Sequence, residues 1–324
     1  MKNKIAFLSE AGNFTFQNVV LNELQNDYVR TRNLYCGICG SDYSYYIGRR
    51  NNYPQTLGHE GIAIIEDSKS QFFKKDDYVI TDFNYRCLDC EYCKNNLSHL
   101  CDKNDISLFS NRMFALYSDI HYSYLTKIPK PKNIIAGSLI EPLSCCIHAL
   151  EKYSLDTNSS ILIYGAGSIG TLMAFYLISY KKCNCIDAYD IIKEKTINLC
   201  NYFRVGTYSS KKKYDIIIEA TNSLDGFINL LRDCPKNQTI CSMSHLYGEN
   251  TSKIYEYILQ KELRVSFPLR NGNQDNMIFA AHIIYDLWDS RFNSMISIDS
   301  LENINDAFRQ KKFSTYNKQV ISID

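Results

Sequence analysis

Thiols, an imidazole and carboxylates occur in this chain at spacings that suit metal chemistry. The tightest group is CLDCEYCKNNLSHLC, residues 87 to 101, where Cys87, Cys90, Cys93 and Cys101 are separated by two, two and seven residues. Thiolates bind zinc tetrahedrally, and the two-residue gaps let one tight loop present three sulfurs while Cys101 closes the fourth corner. Four sulfurs leave no open coordination position, so the reading is a structural zinc; an iron–sulfur cluster and ordinary buried cysteines are the alternatives. The surrounding Asp89, Glu91, Lys94, Asn95 and Asn96 are residues of a loop rather than a core. His99 lies inside the loop as a further ligand type, although four thiols suffice.

Two other stretches pair ligand chemistry with short spacing: CGICGSD (36 to 42) and GHEG (58 to 61). A third, LIEPLSCCIHAL (139 to 150), adds a carboxylate. Each alone is as easily structural as functional.

Residues 160 to 190 carry a different chemistry. The run Ile161, Leu162, Ile163, Tyr164 suits a buried parallel strand, Gly165, Gly167 and Gly170 form a G-x-G-x-x-G fingerprint, and TLMAFYLISY follows with helical length. In that order the glycines allow a tight turn, close approach of backbone to a pyrophosphate, and tight packing of helix on strand. Asp190 ends the next strand, CIDAY, about 20 residues on, where a carboxylate accepts hydrogen bonds from an adenosine ribose. A negative charge there favours NAD over NADP, with Lys193 or Lys195 softening the preference.

The elements that must position these groups fall into two regions. Strands at YDIIIEAT (214 to 221), QTICSM (238 to 243) and LRVSFPL (263 to 269), with helix-compatible segments between them, argue for a doubly wound parallel sheet, an α/β architecture. The first 150 residues are irregular and β-rich by contrast. A length of 324 residues suits two domains. The 45% apolar and 22% charged fractions are those of a globular protein. A formal net charge of +1 supplies no basic face for nucleic acid and no polybasic membrane anchor, leaving small molecules as the expected partners. The opening MKNKIAFLSEAGNFTF does not read as a signal peptide and no apolar run reaches spanning length, so a cytoplasmic location is expected. Thirteen cysteines without an export signal point to reduced thiols, with Cys145, Cys146 and Cys200 as small buried hydrophobes.

Taken in order, CGSD with YSYYIGRR, then GHEG, CLDCEYC, IEPLSCCIHALEK and GAGSIG with Asp190 and Lys195, the sequence resembles the zinc-dependent medium-chain dehydrogenase/reductase superfamily, most closely its sorbitol (polyol) branch. The tail segments SFPLRNGNQDNM and DAFRQKKFSTYNKQVISID are somewhat similar to ribitol-5-phosphate dehydrogenases. The resemblance implies a GroES-like catalytic domain over residues 1–150, completed by 289–324, and a Rossmann domain over 151–288, with the active site in the cleft between them. It implies two zincs per chain. Cys39, His59 and Glu60 would bind the catalytic one, with Glu141 as a direct or water-mediated ligand, and Cys87, Cys90, Cys93 and Cys101 the structural one. Ser41 would relay the substrate proton and Asp42 orient the zinc-binding histidine. Gly165, Gly167, Ser168, Ile169 and Gly170 would face the dinucleotide, with Asp190 and Lys195 at its ribose. A zinc with three protein ligands leaves a position where an alcohol oxygen is acidified. Hydride would then pass to NAD, and NADP is the less favoured cofactor.

Tyr43, Tyr45 and Tyr46 would line a cleft suited to a polyol. Arg270 reads first as a solvated arginine, with contact to a substrate phosphate as the alternative. The substrate expected is a polyol, a sugar or a polyol phosphate. A simple alcohol, an amino-acid hydroxyl, and a non-catalytic dinucleotide-binding sensor are the other readings. A homodimer or homotetramer is expected from the resemblance.

Overall fold

The structure is a computed structural model. The structure describes residues 1–84, 86–104, 109–110, 112–246, 248, 251–311, 314–315 and 317–323. The chain divides into two compact units: Met1–Ser144 with Arg270–Ser314 and Lys318–Asp324, and Cys145–Leu269 with Thr315–Asn317.

The first unit is built on the strand Tyr28–Gly37, which pairs antiparallel with Glu60–Ser68 and with Lys318–Ser322. Beyond these lie Tyr78–Thr81 and Leu125–Ile128 on one side and Ile296–Ser300 on the other. The closing strand expected in YNKQVISID is thus present over Lys318–Ser322, while Tyr316 and Asp324 lie outside the described residues. Tyr28–Gly37 is buried along most of its length, and its interior polar groups are satisfied. Thr31 Oγ1 donates to Asn33 Oδ1 at 2.8 Å, and Asn33 Nδ2 donates to Ala115 O at 2.7 Å and Ser118 Oγ at 2.9 Å. Buried polar groups paired in this way specify one register rather than weaken the core.

An aromatic cluster closes the same unit. Phe308, on the helix Ile304–Gln310, sits 4.9 Å from Phe14, 5.0 Å from Tyr46 and 5.9 Å from Phe114, ring centre to ring centre. It fastens the late segment of the chain onto the early strands through buried ring contacts.

The second unit is a six-stranded parallel sheet among the described residues. Its order is Gly206–Thr207, Cys185–Tyr189, Ser160–Tyr164, Ile216–Glu219, Thr239–Ser242 and Arg264–Ser266. Ile161, Leu162 and Ile163 are fully buried, as a central parallel strand covered on both faces requires. The segment read as a single helix, TLMAFYLISY, is α-helical over Ser168–Phe175 and continues as a π-helical turn over Tyr176–Tyr180.

The domain limits read from sequence, 1–150 with 289–324 and 151–288, differ from this division. The helix Gln274–Leu287 belongs to the first unit, not to the parallel sheet. Its alternation with the preceding strand suggested one more sheet-covering helix. Its side chains bond the first unit instead: Gln274 Nε2 donates to Thr126 Oγ1 at 3.4 Å and Tyr285 Oη to Pro129 O at 2.7 Å. Ser144 Oγ also lies 2.9 Å from Met277 Sδ. Among the described residues, no helix is long and apolar enough to cross a membrane.

Truncating the fully buried Phe308 should cost about 3–5 kcal/mol, whereas Ile298→Ala, at a half-exposed position, should cost under about 0.5 kcal/mol. Urea unfolding of Phe308→Ala and Ile298→Ala, followed by tyrosine fluorescence, checks the difference; equal effects would contradict the packing role given to the aromatic cluster.

Candidate functional site

Cys39 precedes the short helix Gly40–Tyr46, and His59 immediately precedes the strand Glu60–Ser68. Asp42 ties the two together. Its carboxylate is almost fully buried; Oδ2 accepts from Cys39 N at 3.2 Å, Oδ1 accepts from Gly58 N at 3.4 Å, and Oδ1 also lies 3.4 Å from His59 Nδ1. The last contact is too poorly aligned for a full hydrogen bond, but it places the negative charge on the Nδ1 side and turns Nε2 the other way. Ser41 Oγ stands 3.5 Å from Nε2, and the Cys39 thiol is close enough to act on the same ring. Thr81 holds the histidine backbone: its hydroxyl donates to His59 O and accepts from Gly61 N at 3.1 Å. Phe83 packs on the ring at 4.8 Å.

Burial opposes a positive charge on His59, yet the Asp42 carboxylate and Cys39 thiol outweigh it and hold the ring's pKa well above the ordinary imidazole range. The site therefore attracts positive charge into a buried position. A thiol and an imidazole nitrogen, with a carboxylate orienting the ring, are the donor chemistry of a zinc site.

Glu60 and Glu141 stand differently from the pair Cys39 and His59. The buried Glu60 carboxylate is ion-paired through Oε2 with the ammonium of Lys318, itself buried. Burial of Lys318 favours its neutral form, but Glu60, Cys39 and Glu141 together hold its pKa above the ordinary value. Glu141 lies in the first turn of Ile140–Leu150, buried and within electrostatic reach of the same ammonium. Gly37 makes room for the pair, because a Cβ there would come within 2.7 Å of Lys318 Cε.

The cysteine loop forms a separate centre. One sulfur from each of Cys87, Cys90, Cys93 and Cys101 lies within 4.8 Å of every other. The Cys87–Cys93 and Cys90–Cys101 sulfur separations are 3.8 and 3.9 Å. A tetrahedron with Zn–S bonds of about 2.3 Å has edges of about 3.8 Å, so the four donors fit zinc. Backbone N–H groups of Cys90 and Asp89 bring the Cys87 thiol down to about 6, while burial pushes Cys93 up to about 12. His99 is committed elsewhere: its backbone N–H donates to Gly272 O at 3.1 Å, and Nδ1 lies 3.0 Å from the same oxygen. Arg270 is more than a solvated side chain: its half-buried guanidinium donates to His99 O at 3.4 Å and braces this lobe.

In the second unit the fingerprint glycines have distinct geometry. Gly165 has φ +113°, and a Cβ there would lie 2.6 Å from the Ala220 carbonyl carbon. A Cβ on Gly170 would collide with the Gly165 carbonyl oxygen, so this glycine permits the close packing of helix on strand. A Cβ on Gly167 would meet nothing, which leaves the space a pyrophosphate needs. Ser168 opens the helix Ser168–Phe175 and its hydroxyl donates to Asn317 O at 2.8 Å; Ile169 follows, its carbonyl 3.9 Å from Cys146 Sγ. Asp190 accepts from Ala166 N and Ile192 N, both at 2.8 Å, and Lys195 lies close enough to feel its charge. Burial lowers the Lys195 pKa and Asp190 opposes that shift.

Sequence reasoning missed Lys318, Thr81, Phe83 and Asn317. The lysine carried no local signal, because a basic residue opening an apolar strand ordinarily faces solvent.

Comparison with known proteins agrees with this geometry. Residues 25–130 match the alcohol dehydrogenase GroES-like domain. The chain is 31% identical over 181 residues to sorbitol dehydrogenase of Bacillus subtilis (strain 168), covering 52% of this chain and 50% of that one. It is 30% identical over 174 residues to D-arabitol-phosphate dehydrogenase of Enterococcus avium, covering 52% and 48%. The chain thus spans about half the length of the curated relatives it matches. Its fold is that of galactitol-1-phosphate dehydrogenase from Escherichia coli, with a TM-score of 0.83 at 21% identity over 99% of this chain and 100% of that one. Residues 25–130 are thus similar to an alcohol dehydrogenase GroES-like domain, and the whole chain has the fold of a zinc-type dehydrogenase, a GroES-like unit with a Rossmann-type parallel sheet.

The two glycines separate folding from binding. Gly167→Ala should fold with unchanged thermal stability and bind NADH at least about 10-fold more weakly, whereas Gly170→Ala should lose about 1–3 kcal/mol of stability. Thermal denaturation and NADH fluorescence titration of both variants check this; tight NADH binding by Gly167→Ala would contradict the placement of the pyrophosphate.

Proposed function

We propose that the chain is a zinc-dependent oxidoreductase that transfers hydride between NAD and a secondary hydroxyl or carbonyl of a polyol, sugar or polyol phosphate. The observation that carries this reading is the convergence of Cys39, Ser41 and Asp42 on the His59 ring. Cys39 and His59 would hold the catalytic zinc, with the shell completed from Glu60 and Glu141. When bound, zinc supplies Lewis acidity that makes a substrate hydroxyl easier to deprotonate, and NAD supplies the hydride acceptor.

The protein's own groups do the rest. Asp42 orients His59 with Nε2 turned toward Ser41. Ser41, 3.5 Å from that nitrogen, is placed to accept the substrate proton and pass it outward. Lys318 neutralises one buried carboxylate, so that Glu60 and Glu141 can lie near the same centre without uncompensated repulsion. In the other unit Gly167 admits the pyrophosphate, and Asp190 presents a carboxylate that a ribose hydroxyl can bond and a 2′-phosphate would meet as a like charge, favouring NAD. The four cysteines of residues 87 to 101 would hold a second zinc as a structural brace.

NADH formation over a panel of polyols and polyol phosphates tests the activity. Cys39→Ser should lower kcat/KM by roughly 10³-fold or more while NADH binding persists. Activity retained in Cys39→Ser would remove the zinc role assigned to this residue.

A further inference from the structure

A short late segment of the chain is fastened onto the glycine fingerprint. Thr315–Asn317 belongs with the second unit, whereas Arg270–Ser314 before it and Lys318–Asp324 after it belong with the first. Side chains hold this segment at both ends. Asn198 Nδ2, on the helix Lys193–Phe203, donates to Thr315 O at 3.3 Å. At the other end Asn317 Nδ2 donates to Ala166 O, and Asn317 O accepts from Ser168 Oγ, both at 2.8 Å.

Ala166 and Ser168 are the residues on either side of Gly167, where an added Cβ would meet nothing. The bond to Ala166 O has a directional consequence. That carbonyl shares its peptide plane with the Gly167 N–H, and in a trans peptide the two point opposite ways, so holding one aims the other. The remaining groups of the turn are also engaged. Ala166 N donates to Asp190 Oδ2 at 2.8 Å, and Gly167 O accepts from Thr171 N at 2.9 Å as the helix begins. Without Asn317 the peptide between Ala166 and Gly167 would keep the freedom that a glycine allows.

The amide is placed there at a cost. Asn317 is 3% exposed, and its Oδ1 has no hydrogen-bond partner among the described residues. An unmet buried acceptor is unfavourable, so the bond made by Nδ2 is what accounts for an asparagine at this position.

We infer that Asn317 is a positioning residue for the dinucleotide, fixing the peptide between Ala166 and Gly167 so that the Gly167 N–H is aimed at the pyrophosphate. The inference rests on the dehydrogenase reading above, which puts the pyrophosphate at Gly167. Asn317 acts through the turn and not by touching the cofactor. An N–H already oriented binds an anion better than one that must be turned and ordered as the anion arrives.

The test measures binding of NADH by fluorescence, and of ADP and adenosine by competition with it. Asn317→Ala should weaken NADH and ADP about 10-fold together and leave adenosine, which has no phosphate, within about 2-fold. Asn317→Asp sets a carboxylate oxygen against the Ala166 carbonyl and a negative charge near the pyrophosphate, so it should weaken NADH and ADP further while again sparing adenosine. A role in folding alone would lower the thermal denaturation midpoint and leave the ratio of ADP to adenosine affinity where it was; an unchanged ratio overturns the inference. Ser168→Ala removes the other bond and serves if neither Asn317 variant folds: ADP should weaken about 3-fold with adenosine unaffected, and undiminished ADP binding would overturn the inference there. A natural-sequence protein that binds neither NADH nor ADP would reject the cofactor reading itself. NADH binding by that protein, with the ratio unchanged in Asn317→Ala, would reject only the role of Asn317.

Discussion

One buried carboxylate organises the first unit's chemistry. Asp42 accepts from the backbone of Cys39 and of Gly58 while lying against His59 Nδ1, so a single side chain joins the start of a short helix to the entrance of a central strand. Burial alone would raise its pKa, but His59 and then Arg112 act in the other direction and hold it below the usual carboxylate range. It therefore stays charged in the interior, and that fixed charge sets which ring nitrogen of His59 faces Ser41. Without it, three functional side chains from two separate elements would have no common reference point.

The rest of the site extends the same electrostatic logic. Glu60 and Glu141 bring carboxylates into a buried place, and Lys318, from the last strand of the chain, ion-pairs with Glu60 there. A buried pair of this kind contributes little net stability when intact, yet removing one partner costs about 3–5 kcal/mol because the other charge is left unpaired. The Lys318–Glu60 pair thus couples formation of the closing strand to assembly of the site: the lysine reaches the carboxylate only when Lys318–Ser322 has paired with Tyr28–Gly37. The cysteine lobe is fastened by other means. Hydrogen bonds from His99 and Arg270 knit it to residues 270 to 272, which the chain supplies long after the loop itself.

What could be read from the sequence follows the range of each interaction. The four cysteines and the glycine fingerprint are local: their spacing alone places the sulfurs on one loop and the glycines on one strand-to-helix turn, and both appear as expected in the structure. Cys39 and His59 needed the ordered resemblance, because nothing in either short segment says that Asp42 will bring them together. The Glu60–Lys318 pair, separated by 258 positions, was illegible; only the strand pairing creates it. Arg270 was read as solvated or as facing a phosphate; the backbone carbonyl of His99 that it bonds comes from a segment 171 positions away, which its own surroundings in the sequence do not reveal. The helix at Gln274–Leu287 was assigned to the wrong unit because its pattern shows a buried face and not which unit covers it.

The central claim is that this chain holds two different zinc centres, one open and built on Cys39 and His59, the other closed and built on four cysteines. Elemental analysis of zinc per chain in the freshly purified protein and in Cys39→Ser tests it most directly. The account predicts two zincs in the natural sequence and one in Cys39→Ser, with the remaining ion lost when Cys93 is also replaced. A single zinc in the natural sequence, unaffected by Cys39→Ser and lost only when the cysteines of residues 87 to 101 are changed, would contradict it.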